Sequence, residues 1–373
     1  MKKTKIIFFI LFLGFFYPFH SFAEIIKQEK TTDENPHFNV FLDFSNSIHS
    51  IVKKEFYEGS HFSDDDLNLE IIGRATDKIS YRFTKQLKKT ENSEMIDLAY
   101  LKYKWNDKLY FLFGKQPFSF GSMEYVNSVN EHAYRHPNVH KNQDNPVGFS
   151  FIYIPIKDHE FQFQIVNIIK NHEKYYVTRN LHHPMGYSVN WNWSILNNKM
   201  IQNRWSYSFF HFQESEKEKF WKFLALGSKL NLKPFSIEAD YILSDKDIEK
   251  NQDLTKIFQS LNNNNNNVPS AKYGTYLVKL KYNFIPRWNF IVKGGYETGI
   301  SKQKINDILE KNKLFKKEYT YYGGVEFLPL IENDDLSFHF LYKNQRINYS
   351  LNAIQKENKH FIILGFSYRI KMI

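Results

Sequence analysis

Residues 187–195 read YSVNWNWSI, and this strict alternation constrains the fold more than any other feature of the chain. An extended backbone repeats every two residues, so Tyr187, Val189, Trp191, Trp193 and Ile195 share one face while Ser188, Asn190, Asn192 and Ser194 share the other. The pattern returns in EFQFQIV (160–166), RWSYSFF (204–210), FSIEADYIL (235–243) and GTYLVKLKYNF (274–284), and no sustained helical period competes with it. Each segment has one apolar, aromatic face and one hydrophilic face.

Sixteen such segments can be laid along residues 38–372. Short turns (Thr76-Asp77, Asn106-Asp107, Lys157-Asp158, 197–199, Lys233-Pro234, 285–287, 329–334) alternate with longer polar links at 49–66, 89–93, 117–146, 171–186, 212–218, 244–272, 299–317 and 345–358. Short turns therefore fall at one end of the sheet and long loops at the other. An even strand number with this asymmetry and aromatics facing outward describes an all-β transmembrane barrel, in which closure satisfies every backbone group that lipid cannot. The final FIILGFSYRIKMI alternates as a closing strand should, although it ends on Ile373 rather than on an aromatic residue.

Composition supports that choice over a pair of soluble sandwiches. The chain holds 36 Phe, 24 Tyr and 6 Trp, yet its mean hydropathy is −0.53. So many rings on one side of polar strands would leave a soluble protein prone to aggregation, whereas a wall between lipid and water accommodates them. There is no cysteine, which removes disulfide and thiolate chemistry.

At the N-terminus, Lys2, Lys3 and Lys5 precede the apolar run Ile6–Phe16 and a Ser21-Phe22-Ala23 cleavage pattern. Residues 1–23 are expected to be an export signal, 24–37 a short periplasmic segment and 38–373 the barrel. The net charge is +10, of which the three leader lysines supply +3. That leaves a moderate basic excess and no pattern that implies nucleic acid.

LNLEIIGRATDKISYRFTKQL and IDLAYLKYKWNDKLYFLFGKQPFSFGSMEY, within residues 67–125, resemble the N-terminal signature of the phosphate-selective porin O and P family. The shared features are a Tyr-x-Phe strand, a D-x-A-Y-L-x-Y strand, an Asn-Asp turn and a strand that ends G-K-Q before an F-G kink. The resemblance implies a trimeric sixteen-stranded outer-membrane barrel whose third long loop enters the lumen. Counted independently, the third long link is 117–146, which makes it the expected constriction. Outer-membrane lipid, lipopolysaccharide and the barrel assembly machinery follow as expected partners.

The family implies passage of small hydrophilic anions, and strand parity supplies candidate residues for it. Arg74, Arg82, Lys102, Lys104, Arg204, Lys279, Lys281, Lys293, Lys343, Arg369 and Lys371 are assigned inward, against Glu70, Glu238, Asp240, Glu297 and Glu326. Eleven cations against five acids favour an anion-attracting lumen. Lys115, Arg135, His136 and Lys141 belong to the constriction. The loop offers Arg135 and Lys141 beside Glu124, Glu131 and Asp144, so the expectation is weak anion preference, with phosphate one of several solutes. A channel specific for an oligosaccharide or organic anion is the alternative, followed by a barrel enzyme or adhesin.

His132, His136 and His140 stand at four-residue spacing, but Pro137 breaks any helix that would gather them on a metal. Ser337 and His339 share the inward face without an oxyanion site. No catalytic residue, metal or cofactor is expected. Tyr110, Leu112, Tyr322 and Leu341 also face inward, where they are expected to pack against the inserted loop.

Overall fold

The structure, a computed structural model, describes residues 37–53, 56–87, 95–126, 133–136, 139, 145–167, 185–196, 199–214, 217–245, 271–302, 310–350 and 356–373. The leader lies outside the described residues, as does the 24–37 segment apart from His37.

The alternating segments form sixteen strands. They are β1 (His37–Lys53), β2 (Phe56–Thr76), β3 (Ile79–Gln86), β4 (Ile96–Asn106), β5 (Leu109–Lys115), β6 (Val147–Tyr153), β7 (His159–Asn167) and β8 (Met185–Ile195). The second half comprises β9 (Ile201–Glu214), β10 (Lys217–Leu232), β11 (Phe235–Asp245), β12 (Ala271–Ile285), β13 (Trp288–Ser301), β14 (Leu314–Phe327), β15 (Leu336–Tyr349) and β16 (Glu357–Lys371). Each strand pairs antiparallel with its sequence neighbours, and β1 pairs with β16 to close the barrel. The seam extends to the last residue, where Val40 N donates to Ile373 O at 3.1 Å and Met372 N donates to Val40 O at 2.8 Å. Closure leaves no open sheet edge within the wall, as a lipid environment requires.

The outward faces carry the rings. Trp191, Trp193 and Trp205 pack together with centroids 5.3–5.7 Å apart. Tyr241, Tyr276, Tyr296 and Tyr319 form a ladder across β11–β14 with spacings of 4.9, 6.4 and 5.0 Å. Near the short turns, Phe235–Tyr282, Trp288–Phe327 and Phe44–Phe366 make a second series of pairs. Amphipathic rings at the two ends of an apolar band suit the two membrane–water interfaces.

One expected link is largely strand. Residues 49–66 read as a loop, but β1 continues to Lys53 and β2 begins at Phe56, so the hairpin is taller than its alternation implies. The expected 212–218 link is similarly shortened, with β9 running to Glu214 and β10 starting at Lys217. Above the lipid band both faces of a strand can be hydrophilic, and His49, Ser50, Ser60 and His61 therefore lose the period-two signature while keeping the ladder.

Candidate pore and its inserted segment

The excursion into the lumen starts where β5 stops. Gly114 has φ +118° and Gly121 has φ +144°, a region that side chains with a Cβ rarely adopt. At Gly114 an added Cβ would also lie 2.4 Å from Ala99 O. Pro117 can donate no ladder bond. Across the base of the excursion, Gln116 N donates to Pro146 O at 3.0 Å, and Asn145 Nδ2 donates to Asp97 at 2.7 Å.

From there the chain crosses the lumen, and alternate strands of the wall hold it. On β7, Gln164 accepts Ser119 N and donates to Pro117 O, both at 2.9 Å. On β9, Arg204 donates to Ser119 O at 3.1 Å, while Ser206 Oγ accepts Gly121 N at 2.8 Å and contacts Gly121 O at 3.0 Å. On β11, Asp240 accepts Met123 N at 2.7 Å and, more weakly, Glu124 N at 3.4 Å. On β13, Lys293 Nζ reaches both carboxylate oxygens of Glu124, at 2.6 and 2.7 Å, and also Tyr134 O at 2.7 Å. Glu124 in turn accepts His136 N at 2.7 Å, and Tyr322 Oη on β14 donates to Arg135 O at 3.2 Å.

Apolar contacts complete the docking. Phe120 and Val139 pack with Ala225, Ile242 and Leu277 of the wall. Tyr134 packs with Ile291, Tyr322, Leu341 and Ile363. At Gly227 a Cβ would come within 2.3 Å of Met123 N, so a glycine is needed where the segment meets β10.

This arrangement divides the inward cations into two groups. Arg204 and Lys293 are buried, at 8% and 1% exposure, and both donate to the inserted segment. Lys279 is buried against Glu238 at 2.7 Å. The second group lies closer to the open lumen. Arg82 and Arg369 both bind Glu70, and Arg369 also binds Asp43 at 2.9 Å, which links β16, β1, β2 and β3. Lys281 pairs with Glu326 at 2.8 Å and Lys229 with Glu238 at 3.0 Å. Lys102 lies 4.6 Å from the Tyr110 ring, and Lys343 lies 5.5 Å from Tyr322 and 5.1 Å from Phe361.

The remaining expected residues sit at the ends of the barrel. Arg74 is half-buried on β2 next to the first short turn. Lys104 pairs at 2.6 Å with Asp107 in the next turn, and this ammonium holds the exposed Asp107 carboxyl below its usual range. At the opposite end, Lys115 donates to Ile96 O at 2.6 Å. Of the inserted-loop residues, Arg135 and His136 lie in the lumen, His136 fully enclosed. His132, His140 and Lys141 fall outside the described residues. Tyr322 and Leu341 pack against Tyr134, whereas Tyr110 lies at the short-turn end with its hydroxyl toward Asp107 O.

The inward acids Asp43, Glu160 and Glu318 were not among the expected five. All three are buried on the lumen side. Alternation contained the signal, since outward Phe161 and Phe163 place Glu160 inward. What alternation could not supply was the set of wall residues that hold the loop, because Gln164, Ser206, Asp240 and Lys293 are brought together only by closure.

A closed sixteen-stranded barrel with its lumen crossed by an inserted segment defines a porin of the outer membrane. The chain belongs to the phosphate-selective porin O and P family, whose sequence profile matches residues 52–370. No protein of curated function matches it in sequence.

Solved structures share the fold at low identity. The outer membrane channel DcaP of Acinetobacter baumannii has a TM-score of 0.61 at 10% identity, covering 95% of this chain and 100% of that one. An anion-selective porin from Comamonas acidovorans has a TM-score of 0.60 at 10% identity, covering 90% and 100%. The trimer form of OmpT, an outer membrane protein of Vibrio cholerae, has a TM-score of 0.58 at 9% identity, covering 90% and 99%.

Proposed function

We propose that this porin passes small hydrophilic solutes passively, with a weak preference for anions. The observation that carries the preference is an asymmetry within the lumen ion pairs. In Arg82–Glu70 the side chains are 35% and 1% exposed, in Lys281–Glu326 28% and 1%, in Lys229–Glu238 28% and 6%, and in Arg369–Asp43 24% and 10%. The carboxylate lies against the wall and the cation lies toward the water. Each pair is neutral overall, yet a passing ion meets its positive end first, which lowers the energy of an anion more than that of a cation.

Zero-current potential across a salt gradient in planar bilayers tests this reading. Wild type should reverse on the anion side, and replacing Lys229, Lys281 and Lys343 together with Gln should move the potential toward the cation side. A wild-type potential on the cation side, or no movement in the variant, overturns it.

A second reading, a channel for an organic anion with a flat body, draws on the placement of Lys102 and Lys343 beside aromatic rings. It predicts that an aromatic carboxylate blocks the current at concentrations where acetate does not. Export by the 1–23 leader and assembly as a homotrimer complete the proposal. The basic leader followed by an apolar run supports the first, and the trimer form of the similar Vibrio barrel supports the second. Light scattering of the detergent-solubilised protein reads the oligomeric state directly.

A further inference from the structure

Two histidines face each other across the first hairpin, and the pore reading gives them no role. His49 on β1 and His61 on β2 are register partners, with ring centroids 5.6 Å apart and planes tilted by 47°. Both are on the lumen face: His49 continues the inward row of Asp43, Ser45 and Ser47, and its partner on β16 is the inward Ile363. The pair lies toward the long-link end, four residues before β1 ends and five after β2 begins.

We propose that His49 and His61 form a site at the outer mouth of the lumen for a divalent cation of the zinc class, whose remaining coordination positions are filled by water or by a passing anion.

The spacing of the rings suits a shared ion. Register partners on an antiparallel ladder carry their side chains on one face, with Cβ atoms about 4.5–5.5 Å apart. Two zinc–nitrogen bonds of about 2.0–2.1 Å at a tetrahedral angle set the two nitrogens roughly 3.4 Å apart. An imidazole nitrogen lies about 1.1 Å from its ring centroid, so centroids 5.6 Å apart bring nitrogens turned toward each other to that separation. The ligands are also held in place. His49 is laddered on both sides, to β16 and to β2, and Ser47 Oγ lies 2.8 Å from its Nε2. On the outward face of the adjacent row, the Ser50 and Ser60 hydroxyls are 2.6 Å apart and tie the same two strands. An ion would meet two side chains on strands that are already fixed.

Access and charge favour the same occupant. His49 is half-buried and His61 exposed. The next inward pair toward the rim is Ile51 and Gly59, and a Cβ at Gly59 would meet nothing within 4 Å, which leaves the approach from outside clear. The rim lysines of these strands are compensated, Lys53 by Glu58 at 3.6 Å and Lys359 by Glu357 at 2.6 Å. Among the described residues no cluster of three or more His, Cys, Asp or Glu occurs, so the pair offers open coordination. Imidazole ligands suit zinc, nickel or copper, whereas magnesium and calcium take oxygen. Ile363, beside His49, packs with Tyr134 of the inserted segment. A bound dication therefore adds positive charge next to the constriction.

The test is equilibrium dialysis of the folded barrel in detergent against Zn2+ at neutral pH, with and without a hundredfold excess of Mg2+. Wild type should bind Zn2+ in both conditions. His49→Ala and His61→Ala should each weaken that binding at least tenfold, while His360→Ala, on the outward face of β16, should leave it unchanged. In planar bilayers Zn2+ should move the zero-current potential of wild type further to the anion side and leave His61→Ala unmoved. Binding is read without any current, so failure of this site is distinguishable from failure of the anion-preference reading.

Undiminished Zn2+ binding in His61→Ala, or displacement of the Zn2+ by Mg2+, overturns the proposal. Should His49→Ala not fold, the exposed His61 decides alone, and a zinc-induced shift in potential that survives His61→Ala overturns it equally.

Discussion

Replacing Lys293 with Met should release the inserted segment without opening the wall. The Lys293 ammonium and the Glu124 carboxylate are 1% and 2% exposed, and the ammonium also holds Tyr134 O. Removing one partner of a buried ion pair costs about 3–5 kcal/mol, because the other charge stays enclosed without its counterion. Glu124 would keep the His136 N–H, and the backbone contacts from Gln164, Ser206 and Asp240 would remain. A loss of about 4 kcal/mol lowers the ratio of docked to undocked segment by roughly a thousandfold. The barrel has its own complete ladder and should survive. Single-channel recording should therefore give a larger and noisier conductance at an unchanged heat-unfolding temperature of the barrel. Adding Glu124→Gln removes the stranded charge, and replacing a buried pair with neutral groups of similar size is often nearly neutral. The double variant should return toward wild-type conductance. If Lys293→Met conducts like wild type, or if the double variant is no quieter than the single one, this pair does not hold the segment.

Three further outcomes follow from the same geometry. Gly227→Ala should displace the segment from β10, since its Cβ would fall 2.3 Å from Met123 N; overpacking of about 1–3 kcal/mol should appear as altered conductance with the strand content in circular dichroism unchanged. Gly114→Ala meets both a positive φ and the Ala99 carbonyl, so the β4–β5 hairpin should lose about 1–3 kcal/mol, seen as a lower temperature of conversion to the unfolded band on gels. Lys281→Gln should shift the reversal potential toward cations more than Lys279→Gln does, because Lys281 is 28% exposed and Lys279 only 5%; an equal or larger shift for Lys279 would contradict the exposure argument.

Much of this was legible from single segments. The inward assignment of Glu238, Asp240, Lys279 and Lys281 follows from the outward Ile237, Ala239, Val278 and Leu280 beside them. The tall β1–β2 hairpin was not legible, because above the lipid band nothing forces polar and apolar residues to alternate. The Gly114–Gly121 break was visible as the place where the chain leaves the wall, and the family resemblance sent it into the lumen, but the wall residues that hold it there were not legible.

The sequence by itself determined the sixteen-stranded wall and the face on which nearly every charge lies, since a period of two is a property of neighbouring residues. Only the tertiary structure decided which charges meet. Glu124 and Lys293 are 169 positions apart, Arg369 and Asp43 are 326 apart, and both pairs exist because the barrel closes. A lysine on the lumen face looks the same in sequence whether it greets a solute or holds a loop. Burial separates the two roles, and burial is set by the segment that folds in over it.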